Sequence, residues 1–112
     1  MAMIITKGSL LSELRSALPQ LRVDDDWAAD ELLYPIINDL ARYIALQSDC
    51  GDEDELRASL AFVERCASQG DLYVRGLAHE CVESLCVAPG AQKIKSAAGA
   101  STVSMWNAIC GE

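Results

Sequence analysis

The sequence holds few of the groups that do chemistry. Aromatic residues make up 5% of it, histidine occurs once, at His79, and no stretch is both long and apolar. The most apolar run, Leu32-Leu33-Tyr34-Pro35-Ile36-Ile37, is far shorter than the roughly 18 residues needed to cross a bilayer, so no membrane span is expected. Met1-Ala2-Met3-Ile4-Ile5-Thr6 has no basic residue ahead of its apolar part and no adequate apolar core for a secretory signal, which makes a cytoplasmic location the expectation. Five cysteines, Cys50, Cys66, Cys81, Cys86 and Cys110, form an odd set without a C-x-x-C pair, and a single histidine completes no zinc pattern. Reduced thiols, no metal and no cofactor are therefore expected. Cys81 and Cys86 lie five positions apart, about 140° around a helix, so they do not chelate one ion together. Cys81 reads as a small core residue. Neither a glycine-rich phosphate loop nor a Ser-His-Asp order appears.

What is present is the composition of one folded domain. A chain of 112 residues buries about two-thirds of its unfolded surface and is too short for two independent cores. With 51% hydrophobic and 23% charged residues it has the apolar content to collapse. The net charge of −8 is unevenly placed: residues 20–56 hold eleven acids against Arg22 and Arg42, while the remainder holds six acids and seven bases. Such a field repels nucleic-acid phosphates and anionic lipid headgroups and attracts basic proteins, so nucleic acid and membrane are poor partners.

Helical periodicity recurs along the chain. Leu10, Leu11, Leu14 and Leu18 predict a helix over 9–18, with Ser9 as N-cap and Pro19 closing it. Residues 20–26 have no clear period and read as a loop ending in Asp24-Asp25-Asp26. A second helix begins between Ala28 and Glu31 and runs to about Ser48 on the stripe Leu33, Ile36, Ile37, Leu40 and Ile44. Pro35 must then sit in its first turn or two, where its missing N–H has no intrahelical partner. Gly51 and the Asp52/Glu55 capping-box spacing mark a stop and a new start near Glu53. That third helix carries Leu56, Leu60, Val63 and Ala67 as far as Gly70. Asp71 then caps a fourth with Val74, Ala78, Cys81 and Leu85, making an αα-hairpin. A short helix around Ile94 follows, then a last one capped by Ser101/Thr102 and holding Val103, Met105, Trp106 and Ile109. No alternation long enough for a sheet occurs. The predicted fold is all-α: five or six antiparallel helices in a helical bundle or HEAT-like stack, one domain over 1–112 with residues 1–8 as a loose N-terminus.

Few residues are candidates for function. The Asp49–Glu55 cluster lacks the ligand order, sixth-position glycine and twelfth-position glutamate of a calcium loop, and its acids suit a helix start. The same charges fit a surface for a basic partner, made of Asp24, Asp25, Asp26, Asp49, Asp52, Glu53 and Asp54 with Trp27 as apolar anchor. Trp27 serves equally as such an anchor or as a plug at the bundle's end, whereas Trp106, on an apolar helix, belongs in the core. His79 and Glu83 are four apart, opposite the apolar stripe, and read as a surface pair without a nucleophile or oxyanion donor nearby. Cys66, beside Arg65, reads as half-buried and inert. No catalytic residue is assigned, and the chain is expected not to be an enzyme.

One resemblance runs through residues 30–110. Leu33-Tyr34-Pro35-Ile36-Ile37-Asn38-Asp39-Leu40-Ala41, Leu60-Ala61-Phe62-Val63-Glu64, Gly70-Asp71, Val74, Leu77, Glu80, Val82-Glu83 and Met105-Trp106 resemble small all-helical bacterial proteins that act as antitoxin partners in polymorphic-toxin and contact-dependent growth inhibition systems. The resemblance implies a cytoplasmic immunity protein that binds and neutralises a cognate toxin domain, and it carries over no functional residue, because such surfaces vary with their toxins. An acidic inhibitor suits a basic, nuclease-like toxin, whose cleft it fills in place of phosphates. The alternative is a helical-repeat adaptor or regulatory subunit of another complex. An enzyme using His79 or Cys66 ranks third.

Overall fold

The computed structural model describes residues 4–23 and 33–110. Among them lie six helices: α1 (Lys7–Ala17), α2 (Leu33–Cys50), α3 (Glu53–Gln69), α4 (Leu72–Cys86), α5 (Ala91–Ala97) and α6 (Ala100–Cys110). The predicted all-α fold is what the chain adopts. Its predicted stripes are buried: Leu33, Ile36, Ile37, Leu40 and Ile44 on α2, Leu56, Leu60 and Val63 on α3, and Val74, Ala78, Cys81 and Leu85 on α4. Asp52 and Asp71 cap as their spacing requires, accepting from Glu55 N at 3.1 Å and Val74 N at 2.9 Å.

The burial on α4 is wider than its stripe, because Leu77 and Val82 are sealed as well. The cause is its position, since α1, α2, α3, α5 and α6 all pack against it. A helix with that many neighbours needs a broader apolar face, while Arg75, His79 and Glu83 stay exposed on its other side.

Three local readings are corrected. Helix α1 starts two residues before the predicted cap: Thr6 is the N-cap, and Ser9 is its reciprocal partner, accepting from Thr6 N at 2.9 Å while Ser9 N donates to Thr6 Oγ1 at 3.2 Å. The stretch expected to be a loose N-terminus is tied down at Ile5, which is buried. Its N–H donates to Gln69 O and its carbonyl accepts from Asp71 N, both at 2.9 Å. Gly70 lies between those two residues, and a Cβ there would collide with the Cys66 carbonyl and the Val74 side chain, so only glycine fits the turn that Ile5 clasps.

The third correction concerns α6. Ser101 and Thr102 do not cap it with their hydroxyls; they lie within its first turn, after Gly99. Their backbone N–H groups donate at 3.1 and 2.8 Å to the Glu64 carboxylate of α3, which also accepts from Thr102 Oγ1 at 2.9 Å. A residue 37 positions away in sequence thus supplies the cap that Gly99 lacks. The fit requires glycine, because a Cβ on residue 99 would stand 2.6 Å from the Glu64 carboxyl. Partial burial works against the charged form of Glu64, but the hydrogen bonds from Thr102 and Ser101 outweigh it and hold the pKa below the ordinary carboxyl value.

Two outcomes follow from this packing. Leu60→Asp or Leu85→Asp removes roughly 1.5–3 kcal/mol of burial and adds a desolvated charge, so either chain should lose its helical circular dichroism at 25 °C. Glu64→Gln should destabilise the fold by about 1 kcal/mol at pH 7, the worth of a helix cap. A group whose folded pKa is lowered stabilises above its unfolded pKa and ceases to as pH falls through the folded one. Chemical denaturation of parent and variant should therefore show a gap at neutral pH that closes on acidification.

Candidate protein-binding surface

The acidic residues of the α2–α3 turn are exposed at one edge of the molecule. Asp49 lies in the last turn of α2, Gly51 turns the chain in the left-handed region at φ 81°, Asp52 caps α3, and Glu53 and Asp54 occupy its first turn. All four predicted acids, Asp49, Asp52, Glu53 and Asp54, face solvent. Asp24, Asp25, Asp26 and Trp27, the other half of the predicted surface, lie outside the described residues.

Helix electrostatics separates these charges into two kinds. Asp52, Glu53 and Asp54 sit at the positive end of the α3 dipole, which favours each by a few tenths of a kcal/mol. Asp49 is at the negative end of α2, which has no basic residue in its last turn. Its charge costs the helix stability, so helix formation does not explain it. Neither Asp49 nor Asp54 has an ion-pair partner among the described residues, and Glu53 reaches Arg57 only at 4.0 Å with both side chains largely exposed, a contact of little worth.

The structure adds groups that sequence reasoning missed. Lys93 of α5 reaches across to donate to the Ser48 carbonyl at 2.9 Å, satisfying an orphan acceptor at the end of α2. With Arg57, Leu56 and Glu53 it lines an open cleft of about 350 Å³ beside the acidic turn. Burial raises the pKa of Tyr43 on α2, and the nearby Glu55 and Asp52 carboxylates raise it further, keeping its hydroxyl protonated at this edge. Lys93 and Ser48 are 45 residues apart, so no local spacing announces their contact.

The opposite candidates are already engaged or enclosed. Arg65 pairs with Glu13 at 2.5 Å, and Arg75 Nε donates to the Gly70 carbonyl at 2.9 Å. His79 Nδ1 stands 2.9 Å from Glu83 on a half-exposed helix face. Cys66, expected to be half-buried, is buried, and burial pushes its thiol up to about 12, as it does that of Cys81. Trp106 is in the core, as its apolar helix implied.

A second exposed feature also escaped the sequence. Leu72 is 88% exposed at the start of α4, near Ile4 and Tyr73. Tyr73 meets Tyr34 edge-on at 6.4 Å, and Lys7 Nζ lies 5.3 Å from its ring centre. Single exposed apolar residues are ordinary, but here several lie near one another.

The profile of a domain of unknown function, DUF7674, matches residues 11–108. The chain belongs to the DUF7674 family. No curated protein and no solved structure matches it. The DUF7674 match runs from within α1 to within α6, so it includes the acidic turn, Glu64 and its receiving helix end, while Ile5 and the Thr6 cap lie before it.

The electrostatic reading of Asp49 has a direct consequence. Asp49→Lys should raise stability by about 0.3–1 kcal/mol in low salt by placing a cation at the α2 C-terminus. Urea denaturation of the variant at low and high ionic strength checks both the gain and its screening.

Proposed function

We propose that this DUF7674 domain works by binding a basic protein, without catalysis of its own, and that the partner is a toxin domain it neutralises in the cytoplasm. The observation that carries the reading is Asp49: an exposed charge kept where it opposes its own helix, near Asp54, which like it has no ion-pair partner among the described residues. A residue that costs stability without a local benefit fits a surface selected for something outside the fold. The eleven acids of residues 20–56 extend the same field, with Asp24, Asp25, Asp26 and Trp27 completing the proposed surface. Such a field speeds encounter with a basic cleft and occupies it in place of phosphates. Enclosure of Cys66 and the ordinary surface pairing of His79 favour binding over catalysis. The exposed Ile4, Leu72 and Tyr73 favour a second reading, an adaptor that docks an apolar surface in another complex.

The test uses a basic toxin domain, sought among the genes next to the one for this chain, in binding kinetics and in growth protection. Asp49→Lys, Glu53→Lys and Asp54→Lys together, with the Asp52 cap left intact, should slow association by at least about tenfold at low salt and flatten its salt dependence. Dissociation and melting temperature should change little. His79→Ala and Cys66→Ala should protect as well as the parent. Equal association by the charge-reversed chain would remove the acidic turn from the interface, and Leu72→Asp would then test the apolar surface.

A further inference from the structure

The α4 and α6 helices end on a pair of cysteines that the sequence does not bring together. Cys86 is the last residue of α4 and Cys110 the last of α6, and these two helices pack directly against each other. Both residues line one cleft of about 220 Å³ with Trp106, Lys95, Ala91 and Gln92. Cys110 is near enough to Cys86 to raise the pKa of its thiol. Cys110 is exposed and Cys86 half-buried, whereas Cys66 and Cys81 are enclosed in the core. We propose that Cys86 and Cys110 form a reversible redox modification site, closing to an intramolecular disulfide by exchange with a low-molecular-weight disulfide.

The geometry orders the steps. Cys110 is the thiol that a solvent-borne disulfide RSSR reaches first. Its thiolate attacks one sulfur of RSSR, forming a Cys110–SR bond and expelling RS⁻, which takes up a proton. Cys86 is the resolving group. Burial, and then the neighbouring Cys110, push its thiol up to about 12, which keeps it from reacting alone; the Lys95 charge acts the other way. Once Cys110 carries SR, Cys86 gives its proton to water and attacks the Cys110 sulfur, expelling the second RS⁻. Two protein thiols are oxidised and one RSSR is reduced to two RSH. The product joins the C-terminal ends of α4 and α6 beside Trp106, and excess RSH reverses it.

The probe is oxidised glutathione added to the folded Cys50→Ser chain. Mapping by mass spectrometry should find a Cys86–Cys110 peptide pair that has lost two hydrogens, with no glutathione retained. The melting temperature should rise by roughly 5 °C, and dithiothreitol should restore the starting value. Trp106 fluorescence should fall as the disulfide forms. Cys86→Ser should instead retain one glutathione on Cys110, and Cys110→Ser should react at least about tenfold more slowly than the parent. A parent chain that keeps the glutathione adduct, or that gives disulfide-linked dimers, would overturn the proposal. Equal rates in the parent and Cys110→Ser would overturn the assigned order of attack and with it the site.

Discussion

The carboxylate of Glu64, held at the start of α6, is the contact on which the C-terminal third of the fold depends. An eleven-residue helix is too short to be stable by itself in water, and α6 begins at a glycine with no side chain to cap it. It persists because α3 lends it an acceptor and because Trp106 and Thr102 bury against the helices beneath. Cap and apolar contact reinforce each other: the hydrogen bonds fix where α6 starts, and burial of Trp106 fixes how it is rotated. Gly99 joins this arrangement by leaving room for the carboxyl rather than by freeing the backbone.

Around that contact the molecule separates two requirements. The interior is organised by the buried face of α4, and among the described residues its buried polar residues are Ser48, Ser59 and Thr102. Ser59 returns its hydroxyl proton to the Glu55 carbonyl at 2.8 Å, and Thr102 spends its own on Glu64. Charge is kept to the periphery, and around the α2–α3 turn Asp52, Glu53, Asp54 and Glu55 sit at a helix start that tolerates them. Asp49 departs from that pattern, and the departure is informative because everything near it follows the rule.

The elements were legible where a local rule decides them. Stripes with steps of three and four placed α2, α3 and α4 and their core residues, and aspartates followed three positions on by a backbone N–H placed two starts. Partnerships distant in sequence were not legible. Glu64 looks like any helix-surface glutamate until Ser101 and Thr102 arrive from 37 and 38 residues away. Ile5 looks like part of an untethered end until Gln69 and Asp71 present their backbone groups. The acidic turn could be read as a concentration of charge, but its two electrostatic characters emerged only once the end of α2 was placed between Asp49 and Gly51. Lys93 at that helix end and the thiol pair of α4 and α6 have no sequence signal at all, since each joins residues with no periodic relation.

The clasp between Ile5 and the α3–α4 turn also bears on how the domain assembles and opens. The hairpin of α3 and α4 closes a turn of a few residues, a contact that forms early because little chain entropy opposes it. Ile5 must return across more than sixty residues to reach it, and among the described elements α1 rests mainly on α3 and α4. The first helix is therefore a late arrival and an early departure: the unit whose amide protons exchange by local opening while the α3–α4 hairpin stays folded. A two-ended hydrogen-bonded latch, rather than the packing of α1 alone, sets how often that door opens.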